Sequence, residues 1–452
     1  MRLRKTITTI VATAILLAGW QLFAVIANQP ELIPSLPRLV RTLCEWLVSG
    51  SFYQSVGATI LRGVLGMSIS FVCAIGMAGL FARFEWVYEL FRPLLAIMRS
   101  IPVISFILLA LIFLNPESIP LMIAFLTRFP LLTENLTRGI LDLRPGLSIM
   151  ARQFHIRRSN VLFQIIYPQL KPFLYSGLAS AAGFGWRAII MGEVLSQCAF
   201  GIGSEMKRAQ NFIAVPELLA WTIVAVFISF FFDKGISKVA DITPKISFAN
   251  EDQTIPTPTL SVLDTKDISY QYGIQHFSHS FQKGIIYGIS APSGKGKTTL
   301  LNLIGGILLP TEGEIHPTRH FGIATIFQQP QLLPHLTAEE NIILPLSSFL
   351  TEEKARRIAQ KHLQEMEMEP FGNRYPKELS YGQQQRIAIA RALAYPSPLL
   401  LMDEPFKGLD EALSHRIIER IREKQMKEER IILFTSHNPD EIRLLADEVI
   451  YL

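Results

Sequence analysis

Six apolar stretches dominate the first half of the chain, near residues 7–27, 57–82, 92–114, 117–141, 173–197 and 213–236. Each is long enough to cross a bilayer as a helix, which takes ~20 residues. Lipid offers backbone amides no partner, so a chain immersed in it must satisfy them within helices. Residues 1–240 are therefore expected to form an α-helical membrane domain of about six spans. Charge supports the division. Residues 1–240 hold 21 Lys/Arg against 11 Asp/Glu, whereas residues 241–452 hold 22 against 27. A sparse basic half joined to a charge-rich acidic half suits two solvents. The net charge of +5 does not argue for nucleic acid, because the excess cations sit among apolar spans, where they set topology.

Arg2, Arg4 and Lys5 precede the first stretch and keep the N-terminus inside. The run at 7–27 has the length of a retained anchor; Val25-Ile26-Ala27 also resembles a signal cleavage site. Six spans from an inside start return the C-terminus inside and leave 138–172 facing the cytoplasm. That segment carries Arg138, Arg144, Arg152, Arg157, Arg158 and Lys171, as the positive-inside rule expects. The opposite 198–212 segment has only Lys207 and Arg208, although Arg38 and Arg41 fall on the outer side. Gly66, Gly76 and Gly79 suit close helix contacts. Arg99, Arg128 and Arg187 lie within spans, with Glu193 one to two turns beyond Arg187. Structural pairing is the expected role for Arg128 and Arg187, and an anion path is the competing one. Cys44, Cys73 and Cys198 show no metal spacing and read as unpaired apolar residues; a Cys44–Cys198 disulfide would need both to face an oxidising compartment.

Residues 241–260 lack helical periodicity, carry three prolines and read as a linker. Residues 261–452 alternate short β-like runs with amphipathic helices, as an α/β domain does. Phe281–Ser290 reads as a strand, Ala291-Pro-Ser-Gly-Lys-Gly-Lys-Thr-Thr as a loop, and Leu300–Leu309 as a helix. Strand, glycine loop and helix are the context of a Walker A phosphate loop. Its backbone amides and helix N-terminus would bind the phosphates of ATP. Ser293, Gly294, Gly296, Lys297, Thr298 and Thr299 are the binding candidates. Lys297 would meet the β- and γ-phosphates, and Thr298 would ligate Mg²⁺. Ala291 stands where the common pattern has Gly. Leu399–Glu404, LLLMDE, is an apolar strand ending in two carboxylates, a Walker B pattern. Asp403 would hold Mg²⁺, and Glu404 would polarise the attacking water.

Between these motifs lies ELSYGQQQR, residues 378–386. It resembles the signature of ABC ATPases, with Tyr381 in place of its first Gly. The resemblance implies that Ser380, Gly382 and Gln383 meet the γ-phosphate of a nucleotide. Gln328 in IFQQP resembles the Q-loop, a coupling residue and Mg²⁺ ligand. His437 in TSHNPDE resembles the switch histidine, and Gly408-Leu409-Asp410 the D-loop, with Asp410 at the nucleotide interface. Tyr272 in QYG is the adenine-stacking candidate, with Tyr270 close by. Five motifs in this order identify residues 261–452 as an ABC-type P-loop ATPase with Glu404, His437 and Gln328 as its catalytic set. The chain stops at Leu452 soon after a strand, so the C-terminal regulatory helices of many relatives are not expected.

The membrane half carries a matching resemblance. The segment RGILDLRPGLSIMARQFHIRRSNVLFQIIYPQLKPF, residues 138–173, resembles the cytoplasmic coupling loop of binding-protein-dependent ABC permeases. PSLPRLVRTL, SGSFYQSVGATILRGVLG and RSIPVISFILLALIF agree, so residues 34–235 are similar to the sulfonate/taurine/nitrate branch. The family's Glu-Ala-Ala…Gly pattern appears as Ile149-Met150-Ala151…His155. Together the halves resemble a type I ABC importer with permease and ATPase fused. That implies a homodimer with two composite ATP sites, a separate extracytoplasmic binding protein, and uptake of a small solute across the cytoplasmic membrane. The competing readings are an exporter, which uses the same domain order, and an ATP-driven signalling or mechanical device that moves no solute. Short outer and cytoplasmic loops argue against both.

Overall fold

A computed structural model describes residues 2–240, 244–253, 260–271, 273–292, 294–317 and 322–452. Tyr272, Ser293 and the linker positions 241–243 and 254–259 lie outside the described residues. The chain divides into two compact units, one of residues 1–143 and 169–243, the other of residues 144–168 and 244–452.

The first unit is helical: α1 (Arg2–Ala27), α2 (Leu36–Trp46), α3 (Gly50–Arg83), α4 (Glu85–Ser100), α5 (Val103–Phe113) and α6 (Ile119–Leu141). After the excursion described below follow α9 (Tyr167–Ser196), α10 (Ile202–Asn211) and α11 (Val215–Ala240). Among the described residues, three helical runs are long and apolar enough to cross a membrane: Gly50–Arg83, Arg158–Ser196 and Val215–Lys238. A fourth is a bent pair. The stretch expected as one span over 92–114 breaks between α4 and α5 with a 94° bend, because Pro102 cannot continue the hydrogen bonding of α4 and instead precedes the first turn of α5. The apolar part of α1 is shorter, Val11–Ala27.

A seam of small residues runs along α3. Ser55, Thr59, Gly63, Gly66, Ser70, Ala74 and Ala78 are all buried at steps of three or four, the spacing of one helix face. This seam lets α6 approach closely. A Cβ on Gly66 would stand 2.6 Å from the Ala124 Cβ, and one on Gly63 2.8 Å from the Trp186 ring.

Of the charges expected within spans, Arg128 and Glu193 are held by buried hydrogen bonds, whereas Arg187 is exposed and does not show the pairing expected of it. Arg128 is 2% exposed. It donates through Nε to the Ala181 carbonyl (3.2 Å) and through Nη1 to that of Gly63 (2.9 Å). Gly185 leaves the space for it, since a Cβ there would fall 1.9 Å from Arg128 Nε. Glu193 does not pair with Arg187, which is exposed. The wholly buried Glu193 carboxylate accepts from Thr59 Oγ1 (2.9 Å), Arg62 Nη1 (2.8 Å) and the Gly203 amide (3.0 Å). Arg187 precedes Glu193 by six residues, about 1.7 turns, which puts the two on different sides of α9. Arg99 pairs with Glu134. All three cysteines are free, with Cys198 buried.

The second unit begins with the excursion: α7 (Pro145–Gln153), the short α8 (Arg158–Asn160) and a π-helical turn over Val161–Ile166. Its remainder contains two sheets. The smaller is antiparallel, with β1 (Val262–Tyr270) between β2 (Ile274–Gln282) and β4 (Glu312–His316). The larger is parallel, in the order β5 (Ala324–Ile326), β6 (Leu399–Asp403), β7 (Ile431–Thr435), β3 (Ile286–Ser290), β8 (Glu448–Tyr451). β3, β6 and β7 are almost wholly buried, as expected of parallel strands covered on both faces. The helices are α12 (Lys297–Ile304), α13 (Ala338–Leu346), α14 (Glu352–Glu365), α15 (Tyr381–Ala394), α16 (Glu411–Glu428) and α17 (Pro439–Leu445).

α7 docks within this unit through apolar side chains. Leu147, Met150, Ala151, Phe154 and Ile156 share a core with Leu333, Ile343, Tyr395 and Met402. Phe154 meets the Tyr395 ring edge-on at 5.2 Å and lies under the Arg391 guanidinium at 5.4 Å. Gln153 donates to the Gly305 carbonyl (2.7 Å) and accepts through its own carbonyl from the Ile323 amide (2.8 Å). His155, which stands at the family's Gly, takes the left-handed conformation that Gly would take, with φ +45°.

The described part of the linker, 244–253, is a strap hydrogen-bonded along its length. Ala249 and Gln253 amides donate to the Ser347 and Phe349 carbonyls (3.0 and 2.8 Å). Buried Asn160 donates to the Ser247 carbonyl and to Ser347 Oγ, and accepts from the Ser247 amide, each at 2.8 Å.

Candidate functional site

Parallel register brings the ends of three strands together. Asp403 at the end of β6 pairs with Thr435 of β7, and Thr435 with Ile289 of β3. The phosphate-loop candidate leaves β3 at this edge. The carboxyl ends of parallel strands are where open α/β sheets receive ligands.

Gly294 (φ +82°) and Gly296 (φ +91°) hold left-handed conformations that favour glycine. No atom lies within 4 Å of a Cβ built on Gly294, whereas one on Gly296 would meet the Gly273 carbonyl oxygen at 2.7 Å. The loop thus offers an open cradle at its first glycine and a tight approach at its second. Ala291 is not among the residues with positive φ, so its backbone conformation does not call for glycine. Its carbonyl accepts from Lys297 Nζ at 2.7 Å. Lys297 is the first residue of α12 and is buried.

Thr298 donates through Oγ1 to Asp403 Oδ2 (2.9 Å), and Asp403 Oδ1 accepts from Thr435 Oγ1 (2.8 Å). A hydroxyl and a carboxylate side by side are hard oxygen donors of the kind Mg²⁺ prefers. With nucleotide phosphates supplying further oxygens, this pair fits the ion. Among the described residues no cluster of three His, Cys, Asp or Glu side chains could hold a metal alone.

Glu404 lies just beyond the strand at φ +48°, and its amide donates to Thr435 Oγ1 (3.1 Å). Its carboxylate meets His437 Nε2 at 3.0 Å and Lys407 Nζ at 3.1 Å. Partial burial pushes its pKa up, but the Lys407 and Gln328 hydrogen bonds and the Lys407 and His437 charges outweigh it and hold the carboxyl below its ordinary value. Glu404 is therefore ionised at neutral pH, as a general base must be. His437 Nδ1 lies 3.4 Å from Lys297 Nζ, closing a chain Glu404–His437–Lys297. The structure thus brings together Lys297, Thr298, Asp403, Glu404, His437 and Gln328. Gly294 and Gly296 frame the loop beside them, and Thr299 is half-buried in the first turn of α12.

The signature residues start α15. Ser380 caps it, accepting from the Gln383 amide while Gln383 Oε1 accepts from the Ser380 amide. Among the described residues the side-chain hydrogen bonds of Ser380 and Gln383 stay within this capping box. Gly382 approaches Gly408, whose carbonyl oxygen lies 2.6 Å from a Cβ built on it. Asp410 caps α16 by accepting from the Leu413 amide (2.9 Å). Two contributors escaped sequence reasoning. Thr435 bridges Asp403 and the Glu404 amide, and its place immediately before Ser436-His437 was its only signal. Lys407, three residues after Glu404, pairs with it.

A family model described as ABC transporter matches residues 274–407, and one described as binding-protein-dependent transport system inner membrane component matches residues 68–233. An uncharacterized ABC transporter ATP-binding protein of Methanocaldococcus jannaschii is 34% identical over 201 residues, 40% of this chain and 85% of that protein. The thiamine import ATP-binding protein ThiQ of Yersinia pseudotuberculosis is 34% identical over 205 residues, 42% of this chain and 86% of that protein. The Fe(3+) ions import ATP-binding protein FbpC of Rhizobium etli is 35% identical over 189 residues, 40% of this chain and 54% of that protein. The chain thus spans about half the length of the first curated relatives it matches. A solved dimeric ATP-binding cassette in a post-hydrolysis state with ADP and Pi aligns with TM-score 0.40 and 32% identity, covering 42% of this chain and 94% of that one. The chain belongs to the ABC transporter family, with a permease-type membrane domain fused ahead of an ABC ATPase domain of the P-loop NTPase fold.

Proposed function

We propose that the protein is the fused permease–ATPase subunit of an ATP-driven importer, working as a homodimer in the cytoplasmic membrane with its ATPase domain in the cytoplasm. The observation that carries this reading is the convergence of Lys297, Thr298, Asp403, Glu404 and His437 on one sheet edge, in a chain whose other half matches a binding-protein-dependent transport system inner membrane component. Residues 1–240, 241–260 and 261–452 serve as membrane domain, linker and ATPase.

Lys297, now held by the Ala291 carbonyl, would turn to the β- and γ-phosphates of ATP. Gly294, Gly296 and Thr299 would supply backbone amides around them. Thr298, Asp403 and Gln328 would hold Mg²⁺, which supplies positive charge against the phosphate oxygens. Glu404 would take the proton of the attacking water, and His437 would orient its carboxylate. Tyr272, Ser293, Ser380, Gly382, Gln383 and Asp410 complete the proposed nucleotide contacts, the signature residues acting on the second copy's nucleotide. Because α7 shares the ATPase core, ATP-driven closure would carry the 145–160 segment with it and bias the membrane halves between inward and outward access. A separate extracytoplasmic binding protein would deliver the small solute.

The test is reconstitution of the full chain in liposomes. Wild type should hydrolyse Mg-ATP. E404Q should retain ATP binding and lose about 10²- to 10⁴-fold in turnover, the range for removing a general base. Unchanged hydrolysis in E404Q would remove Glu404 from its role. Uptake is then measured against sulfonates and nitrate, and against Fe(3+), glucose and thiamine, the solutes in relatives' names. ATP hydrolysis without solute movement or response to any binding protein would favour a signalling or mechanical device.

A further inference from the structure

Tyr381 is the feature of the ATPase domain that the reading above leaves unused. It replaces a glycine of the signature pattern, and a large ring there demands a reason. Its place in the structure supplies one. It is the first residue of α15, just after the Ser380 cap. Its phenol oxygen donates to the backbone carbonyl of Gln328 at 2.7 Å. Its ring lies against Gly408, where a Cβ would stand 2.8 Å from Tyr381 Cδ1. Gly408 has φ +80°, so both conformation and space require glycine there. One side chain thus bridges the signature, the segment after β5 and the turn after β6.

Both bridged segments carry parts of the catalytic set. The Gln328 side chain acts on the Glu404 carboxylate. The turn that Tyr381 covers carries Lys407, which pairs with Glu404. Glu404 in turn meets His437, and His437 approaches Lys297. A continuous line of contacts therefore runs from Tyr381 to the phosphate-loop lysine.

We propose that Tyr381 is a positioning residue that ties the signature, which would serve the second copy's nucleotide, to the Gln328–Glu404 pair of its own chain, and so couples the two ATP sites. The inference rests on the composite-site reading above. The bridge keeps Gln328 and the 404–408 turn in fixed relation to α15. A nucleotide that pulls on the Ser380 end of α15 displaces, through this bridge, the base of the opposite site. A glycine at 381 has no side chain to do this.

Full-length wild type, Y381F and Y381G are reconstituted in lipid, and kcat, KM for ATP and the Hill coefficient are measured. Y381F keeps the ring and loses only the hydrogen bond. A neutral hydrogen bond of this kind corresponds to a change of about fivefold. Y381F should therefore lower kcat about fivefold, leave KM within about twofold and bring the Hill coefficient toward one. Y381G should lose at least as much. A thermal midpoint of Y381F equal to wild type, and equally raised by ATP, shows that folding and binding are intact. Wild-type kcat and Hill coefficient in Y381F would overturn the proposal, as would a rise in KM that accounts for the whole loss. If wild type itself hydrolyses no ATP, the ATPase reading fails instead.

Discussion

His362 shows how a single buried side chain sets a pH response. It lies in α14, is 4% exposed, and points Nδ1 at Glu365 Oε2 (2.6 Å) and Nε2 at Lys424 Nζ (3.3 Å). A neutral ring can accept from Lys424 at Nε2, which a protonated ring cannot. Burial, with the Lys424, Lys361 and Arg430 cations, lowers its pKa from 6.5 to about 3. Between these values the unfolded chain binds a proton that the folded chain refuses. Stability contributed by the neutral ring is thus complete above pH 6.5 and is lost as pH falls toward 3, at no more than about 1.4 kcal/mol per pH unit. H362Q should flatten this part of the profile, measured as the thermal midpoint of the solubilised protein from pH 7 to pH 4. A profile as steep as wild type would remove His362 as its cause. Sequence reading missed this residue because a histidine within a charged helix reads as surface. The convergence of Lys297, Asp403, Glu404 and His437 on one sheet edge was legible because they occupy motifs whose order alone is informative. Thr435 and Lys407 were not, since their roles depend on strand register and on a turn after β6.

At the scale of elements, the strap 244–253 is the main departure from what the sequence suggested. Proline content and the lack of periodicity identify a segment without helix or strand, which is correct for the described residues. They say nothing of where its backbone hydrogen bonds go, and here the partners lie about ninety to one hundred residues away on either side. Asn160 carries the tightest part, three hydrogen bonds from a side chain that is 1% exposed. N160A leaves the Ser247 amide and carbonyl without that partner and should cost about 2–3 kcal/mol. The readout is limited proteolysis. N160A should be cut within 244–253 many times faster than wild type, while an equal rate would mean that the strap is held elsewhere. The bend at Pro102 belongs to the same scale. Apolar length identified material for a span over 92–114, and a proline at its centre decided that the span is broken. Likewise the altered residues of α7 do not prevent docking, because Leu147 and Phe154 lie outside the changed pattern and Met150, which stands where the pattern has Ala, joins them in the shared core.

At the scale of the whole molecule, the division into an apolar helical half and an α/β half was legible from hydropathy, charge and motif order. The pairing inside the membrane unit was not. Arg62, 131 residues away in sequence, is the partner of Glu193, and Arg128 is held by carbonyls that one small residue and one glycine expose. In the proposed dimer one chain carries two halves of different ATP sites, a phosphate loop and a signature. Mixing two defective chains tests it, with E404Q in both to stop turnover. K297A removes the phosphate-loop lysine, and G382D places a charge in the signature. Each alone should occlude no ATP. In mixed dimers one site is doubly defective, and the other combines an intact loop with an intact signature. One occluded ATP per mixed dimer is the expected result. Mixed dimers that occlude none, as would happen if each chain built its site alone, would contradict it.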